Sequence, residues 1–496
     1  MEDSQQILYQ QDLALQSNRS GVLRLLAGVG IVLVTIVFLL LTLFGMECPF
    51  EYRVLVFFWI LLNTVLCVVA WRSTRNKPLL RIIFSFVILY YQLAYTYKTV
   101  LMYLPQTETL IYWIGTPSRP SLDILGKVLV LGVIIVTGMY ISIILAARIS
   151  KVDEAFAKNV TEIRFFLLLI ICVVFILIKY VVHFVFKWGL PGSEVAQGIP
   201  IVTGILVLFS RFGLFFLCSS YLYLSIVIKR DRIHACLAIL VTVCYLGMDF
   251  MIGSKFSLAY IAVVLFFIVL FFKQRHGLLP KVPLLIAFVF FIFASTFYKY
   301  INFFRYARIQ GEEIGIINFI DYAISKGAGE QSGTSEIIGR INGMDLFASA
   351  VSFSDFMKPS LINLLWSDSL RQEYTTALAG GTQIAHHAVG FTQAGFIALL
   401  CRGNVLLSFF ATVLIMTFLF VFFIWASLRF IQSEELRPLA AVVLGISLVF
   451  LQFSGGGVVF FMKELFITVM CIQLVDKFVL RGDTLQLEVD ESISIG

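Results

Sequence analysis

The chain has 496 residues, of which 60% are hydrophobic and only 14% are charged, and its formal net charge is +7. Ordinary soluble domains carry roughly 25% charged residues, so a soluble domain of any size is excluded. The basic surplus is spread along the chain, which excludes a nucleic-acid-binding patch, and the eight cysteines lie mostly in apolar runs without a CxxC pair, which argues against a disulfide framework or a zinc site.

Apolar runs of about 20 residues recur along the sequence, the length that crosses a hydrocarbon core as a helix. Backbone polar groups in lipid must be satisfied within the segment itself, which leaves helices and closed barrels. Barrel strands would be half as long and would alternate polar with apolar residues. The expected fold is therefore all-α and polytopic.

In chain order, residues 1–24 are polar and contain acids, unlike the short basic start of a cleavable signal peptide. The run after them is expected to be a retained first span. Twelve spans are predicted near 25–45, 54–71, 82–97, 124–147, 165–186, 200–228, 235–251, 256–272, 282–300, 405–428, 437–453 and 457–476. Lys and Arg concentrate in alternate loops: Arg72, Arg75, Lys77 and Arg81, then Arg148 to Arg164, then Lys229 to Arg232, then Lys273 to Lys281. Cytoplasmic loops carry that excess, so both termini are expected in the cytoplasm. Residues 386–404 are too polar at their start and too short to span, and are expected to be re-entrant or interfacial.

Three regions result: 1–300 with nine spans, 301–404 as a large outer loop, and 405–496 with three spans and a tail. The outer loop carries Phe, Ile, Leu and Trp366 at helix-like intervals. It is therefore expected to be ordered, with short helices at 335–350 and 360–370 lying against the membrane.

Charges inside spans are the sharpest functional signal, because each is costly in hydrocarbon unless paired or wet. Arg211 falls roughly 15 Å from the outer end of span six at the helical rise. It either pairs with a neighbouring acid or with helix carbonyls, or faces a cavity and binds an anion. Lys179, His183 and Lys187 recur every four residues, hence on one face, as an interfacial anchor or as a wall of that cavity. Lys463 and Glu464 are adjacent and face different helices, which suits a structural role. Asp249 and Lys255 flank the outer turn between spans seven and eight.

In the long loop, Arg305 and Arg308 stand beside aromatics, Arg340 and Asp345 bracket an Asn-Gly turn, and His386–His387 follow Gly380–Gly381. Residues 301–380 hold six basic and nine acidic residues, which disfavours a polyanion. The balance suits a site that grips one phosphate group with a few arginines, whose planar fork meets two oxygens at once, and otherwise handles neutral sugar. A histidine of ordinary pKa, about 6.5, can accept a proton from an attacking hydroxyl. No His/Cys/Asp/Glu set has metal-ligand spacing and no phosphate-loop or dinucleotide fingerprint appears, so neither a metal nor a nucleotide cofactor is expected.

Twelve spans, an Arg in span six, the turn Gly253–Ser254–Lys255 and a long outer loop before span ten resemble the Wzy-type polymerases of lipid-linked oligosaccharide repeat units. The segment Arg340–Ile341–Asn342–Gly343–Met344–Asp345 is similar to the Arg-x-x-Gly-x-Asp element of that family. The stretch from His386 to Gly395 is similar to the lead into the next helix in these polymerases and in O-antigen ligases. Lys255 stands where the family commonly has Arg. The resemblance implies a GT-C-like glycosyltransferase of the bacterial inner membrane. Its donor and acceptor would be undecaprenyl-diphosphate-linked oligosaccharides, its setting membrane lipid, and its partner a chain-length-regulating co-polymerase. It implies a diphosphate site of Arg211, Lys255, Arg305, Arg308 and Arg340, with Asp345, His386 or His387 orienting or deprotonating the acceptor. An O-antigen ligase, and more distantly a lipid-linked glycan flippase or transporter, are the alternatives.

Overall fold

The computed structural model describes residues 32–105, 122–150, 160, 162–188, 209–252, 256–277, 319–325, 344–353, 392–428, 431, 433–454 and 457–481, with isolated positions in 202–207 and 284–300. Its elements in chain order are helical almost throughout. They begin with α1 (Val32–Phe44), α2 (Phe50–Ser73), α3 (Pro78–Leu101) and α4 (Leu122–Ile149). A two-residue strand β1 (Glu162–Ile163) leads into α5 (Phe165–Val185). Next come α6 (209–229), α7 (Arg232–Ile252) and α8 (Phe256–His276). Three short helices follow, α9 (Phe319–Ser325), α10 (Met344–Phe353) and α11 (Gln393–Leu400). The last described elements are α12 (Val405–Leu428), α13 (Arg437–Ser454), α14 (Gly457–Leu474) and β2 (Leu480–Arg481).

Among the described residues six helices are long and apolar enough to cross a membrane: α2, α3, α4 (as Leu125–Ile149), α5, α7 and α12 (as Val405–Ala426). Val32–Phe44, Leu214–Lys229 and Arg437–Val449 are shorter apolar helices at three further expected spans. In the expected ninth span, Leu284, Leu285, Phe288, Val289 and Ile292 are helical and exposed. Their spacing is that of one helix face.

The exposed apolar faces show why the chain needs lipid. On α12, Leu406, Phe410, Leu414 and Phe418 recur every fourth residue and are all exposed. Water would oppose such a stripe, whereas acyl chains match it. The interior is built mainly by α3, α4, α6 and α13, which bury most of their apolar residues, while α2, α5 and α12 leave most of theirs outside. Close backbone approach is made by small residues, as is common between membrane helices. A Cβ on Gly445 of α13 would meet the Phe86 ring of α3 at 2.5 Å, so the two helices touch there only because Gly445 has none.

Cross-contacts sort the loops onto two ends of the bundle. Lys77 Nζ donates to the carbonyls of Ala147 and Ser150, which brings the α2–α3 turn to the end of α4. β1 and β2 pair antiparallel, Glu162 opposite Arg481, and Ser433 N–H donates to Asp476 Oδ1 at 2.9 Å. A His276 ring nitrogen bonds the Val227 carbonyl at 2.8 Å. These contacts gather the basic loops at one end. The opposite end is closed by Arg53, which donates to the carbonyls of Leu43 and Cys48, and by the bond from Glu47 N–H to Tyr103 O.

The expected loop helices meet a mixed outcome. α10 replaces the expectation at 335–350, and instead of lying on the surface it is inserted. Met344, Phe347, Ala348, Ala350 and Val351 are buried. Their spacing makes an apolar stripe that must be covered, and Gly132 of α4 offers the socket: its absent Cβ leaves room for Met344, Phe347 and Trp59. α11 has eight residues, too short to span a membrane as a helix. The helix expected at 360–370 lies outside the described residues.

Candidate functional site

The end of the bundle opposite the basic loops carries a buried polar cluster on α5, α6, α7 and α8. Phe165 opens α5 at the basic end, so Lys179, 14 residues on, lies about 21 Å along the helix. Asp249 lies 17 residues into α7, about 25 Å from the same end, and Ser257 is in the first turn of α8. Depth therefore matches across three helices.

There Lys179 Nζ and Asp249 Oδ1 form an ion pair whose side chains are 0% and 4% exposed. Ser257 Oγ donates to the other carboxylate oxygen, Asp249 Oδ2. The ammonium also stands 4.4 Å from the ring centroid of Tyr245, one turn before Asp249 on α7. A buried charge must be paired and hydrogen-bonded to persist, and here both oxygens of the acid are used. The ring quadrupole of Tyr245 adds attraction to the cation.

One turn further along α5 the helix loosens into a π turn, Val181–Val185, which holds His183. Single π turns inside α-helices are frequent at functional sites. One ring nitrogen of His183, Nδ1, is 2.7 Å from the Trp188 carbonyl and the other, Nε2, is 3.1 Å from Ser210 Oγ. A carbonyl only accepts, so Nδ1 carries the hydrogen. Nε2 then faces the Ser210 hydroxyl, whose single hydrogen is placed toward Val207 O at 2.8 Å. The imidazole is thus held in one orientation, with one ring nitrogen in contact with Trp188 just after α5 and the other with Ser210 of α6.

Lys187 does not continue this stripe. It is exposed and lies beyond the helix at φ +56°, because the π turn ends the helical period that its spacing assumed. Lys179 and His183 are the inward members, and both are buried.

Ser210 and Arg211 are neighbours in another π turn, Phe209–Gly213, which opens α6. The backbone of Arg211 therefore adjoins the His183–Ser210 contact. Asp345 is the second residue of α10. Lys255, Arg305, Arg308, Arg340, His386 and His387 lie outside the described residues. The elements that follow them do come together: α10, which starts at the end of the Arg340–Asp345 segment, packs on α11, which follows the histidine pair. Thr392 caps α11 by accepting from Gly395 N–H at 3.1 Å, and next to it the buried Gln393 Nε2 has no hydrogen-bond partner.

Tyr245, Ser257 and Ser210 escape a reading of the sequence, since uncharged residues in an apolar run carry no signal. The pairing of Lys179 with Asp249 had one available clue, opposite charges at equal depth from the basic end in spans five and seven. Among the described residues no group of three His, Cys, Asp or Glu side chains converges as metal ligands would. Compared with family models, curated proteins and solved structures, the chain matches none.

Proposed function

We propose that the chain is a membrane glycosyltransferase that polymerises lipid-linked oligosaccharide repeat units on the outer face of the bacterial cytoplasmic membrane. The observation that carries the reading is the polar cluster at the end opposite the basic loops, with His183 bonded to Ser210 immediately before Arg211. The positive-inside rule assigns the basic end to the cytoplasm, so the cluster faces the side where lipid-linked glycan is extended. In this reaction an acceptor sugar hydroxyl attacks the anomeric carbon of the glycan on undecaprenyl diphosphate. The new glycosidic C–O bond forms, the bond to the diphosphate breaks, and undecaprenyl diphosphate leaves with the electron pair. Arg211, Arg305, Arg308 and Arg340, supported by Lys255, stabilise the charge that develops on the leaving group, often the largest contribution to catalysis. Asp345, His386 or His387 takes the hydroxyl proton. His183 and Ser210 act as positioning residues for the turn that presents Arg211. A chain-length-regulating co-polymerase is the expected partner.

Gel analysis of surface glycan from a deletion strain tests the reading. Accumulation of single capped units supports a polymerase, unligated long chains indicate a ligase, and unaltered glycan removes both. Complementation with Arg211→Ala or Arg340→Ala is expected to leave the block in place with normal protein level. Arg211→Lys is expected to fail as well, because a point charge does not replace a bidentate fork. Ser332→Cys is expected to react with an impermeant thiol reagent from the outside, and labelling only after the inner face is opened would overturn the topology.

A further inference from the structure

Away from the charged cluster, α2, α3 and α4 enclose a second polar region of a different kind. Trp59 and Asn63 lie one turn apart on α2, and Tyr91, Gln92 and Thr96 lie where α3 loosens into the π turn Gln92–Tyr97. Gln92 Nε2 ties the two helices together, donating to the Asn63 carbonyl at 3.0 Å and to Tyr140 OH at 2.8 Å. The remaining capacity is unmet. Trp59 Nε1, Asn63 Oδ1 and Nδ2, Tyr91 OH, Gln92 Oε1 and Thr96 Oγ1 have no hydrogen-bond partner, although their residues are only 2%, 1%, 0%, 7% and 1% exposed.

Such a group is a rarity in a protein interior, where buried polar atoms are nearly always paired, and in a membrane protein the penalty is greater still. Other buried polar atoms without a partner, such as Ser220 Oγ, Gln393 Nε2 and Thr417 Oγ1, are scattered over separate helices, whereas these six fall on two helices joined by one glutamine bridge. They include donors and acceptors of both kinds, with no formal charge among the five residues. Rings flank it along α4: Tyr91 meets Tyr140 edge-on with centroids 5.6 Å apart, and two turns away, about 12 Å along the helix, Trp59 borders the socket of Gly132. Neutral amides, hydroxyls and an indole N–H between aromatic faces match a ligand that is itself neutral, rich in hydroxyls and apolar on its ring faces. That ligand class is a sugar. The region also adjoins α10, which packs on the π turn of α3 and on α4 and carries Asp345 in its first turn.

We propose that Trp59, Asn63, Tyr91, Gln92 and Thr96 form a neutral-sugar subsite beside α10, distinct from the charged cluster on α5–α8. Resting on the reading of the chain as a lipid-linked glycan polymerase, it holds a sugar of the acceptor unit near Asp345. The unmet hydrogen bonds are those the sugar completes.

The test uses the purified full chain in detergent, with Asn63→Leu and Thr96→Val separately and together. Probes are neutral and N-acetylated di- and trisaccharides and the oligosaccharide released by mild acid from the host's own surface glycan. At saturation at least one probe is expected to raise the Tm of the unaltered chain by about 2 °C and to leave the double variant unmoved. Without sugar the double variant is expected to melt at or above the unaltered chain, since it loses only unpaired polar atoms. A shift in neither protein, an equal shift in both, or a double variant that melts well below the unaltered chain would overturn the subsite. If the sugar shift is lost in the double variant while the deletion strain makes normal glycan, the subsite stands and the polymerase reading fails.

Discussion

The two buried polar regions solve the same problem in opposite ways. Around Asp249 every strong group is answered: the ammonium of Lys179 by carboxylate and ring, the carboxylate by ammonium and hydroxyl. Around Asn63 and Gln92 six side-chain polar atoms are left open and only Gln92 Nε2 is answered. Formal charge explains the difference, because an unpaired ion in low dielectric is too costly to keep, whereas an unpaired amide or hydroxyl is tolerable when something else completes it. A closed network fixes geometry and an open one waits for a ligand.

The largest expected effect breaks the closed network on one side only. Asp249→Ala leaves a buried cation without its partner and is expected to cost about 3–5 kcal/mol, read as loss of folded protein and a lower melting temperature in detergent. Removing both charges, as Lys179→Met with Asp249→Leu, is expected to recover most of that stability. A double variant as damaged as the single one would mean that the pair does more than neutralise itself. Next comes catalysis. If one of Asp345, His386 and His387 is the base, its replacement by Asn or Gln is expected to slow polymer formation per enzyme molecule by about 10²–10⁴. Near-normal rates in both histidine variants would leave Asp345 as the base.

A smaller effect probes packing away from both regions. Gly445→Ala drives a Cβ to 2.5 Å from the Phe86 ring and 3.2 Å from the Ile83 carbonyl. A loss of about 1–3 kcal/mol is expected from that overpacking, measured by thermal unfolding, with Phe86→Leu as the compensating change. The smallest effect belongs to the open network. Thr96→Val preserves shape and deletes an unpaired hydroxyl, so stability should stay within about 0.5 kcal/mol or rise. The contrast between Asp249→Ala and Thr96→Val, two changes of similar burial, is the sharpest measure of how differently the regions are built.

Composition and periodicity alone determined that this chain is helical and lies in a membrane. Apolar runs of spanning length admit few other structures, and every one of α2, α3, α4, α5, α7 and α12 overlaps an expected span. The grouping of basic loops was equally legible, since Lys and Arg are read by position in sequence. The short helix α10 was partly so: its stripe of Met344, Phe347 and Val351 announced a helix, but not that Gly132 would let it sink between α3 and α4. The site was less legible. Lys179, His183 and Asp249 stood out as charges in apolar runs, yet which helix faces which is a matter of tertiary packing. Serine, threonine, tyrosine and asparagine in a span look alike whether their hydrogen bonds are met or open. Only the packed structure decides that, because a hydrogen bond depends on what lies within 3 Å across the helix interface, and sequence separation says nothing about that distance.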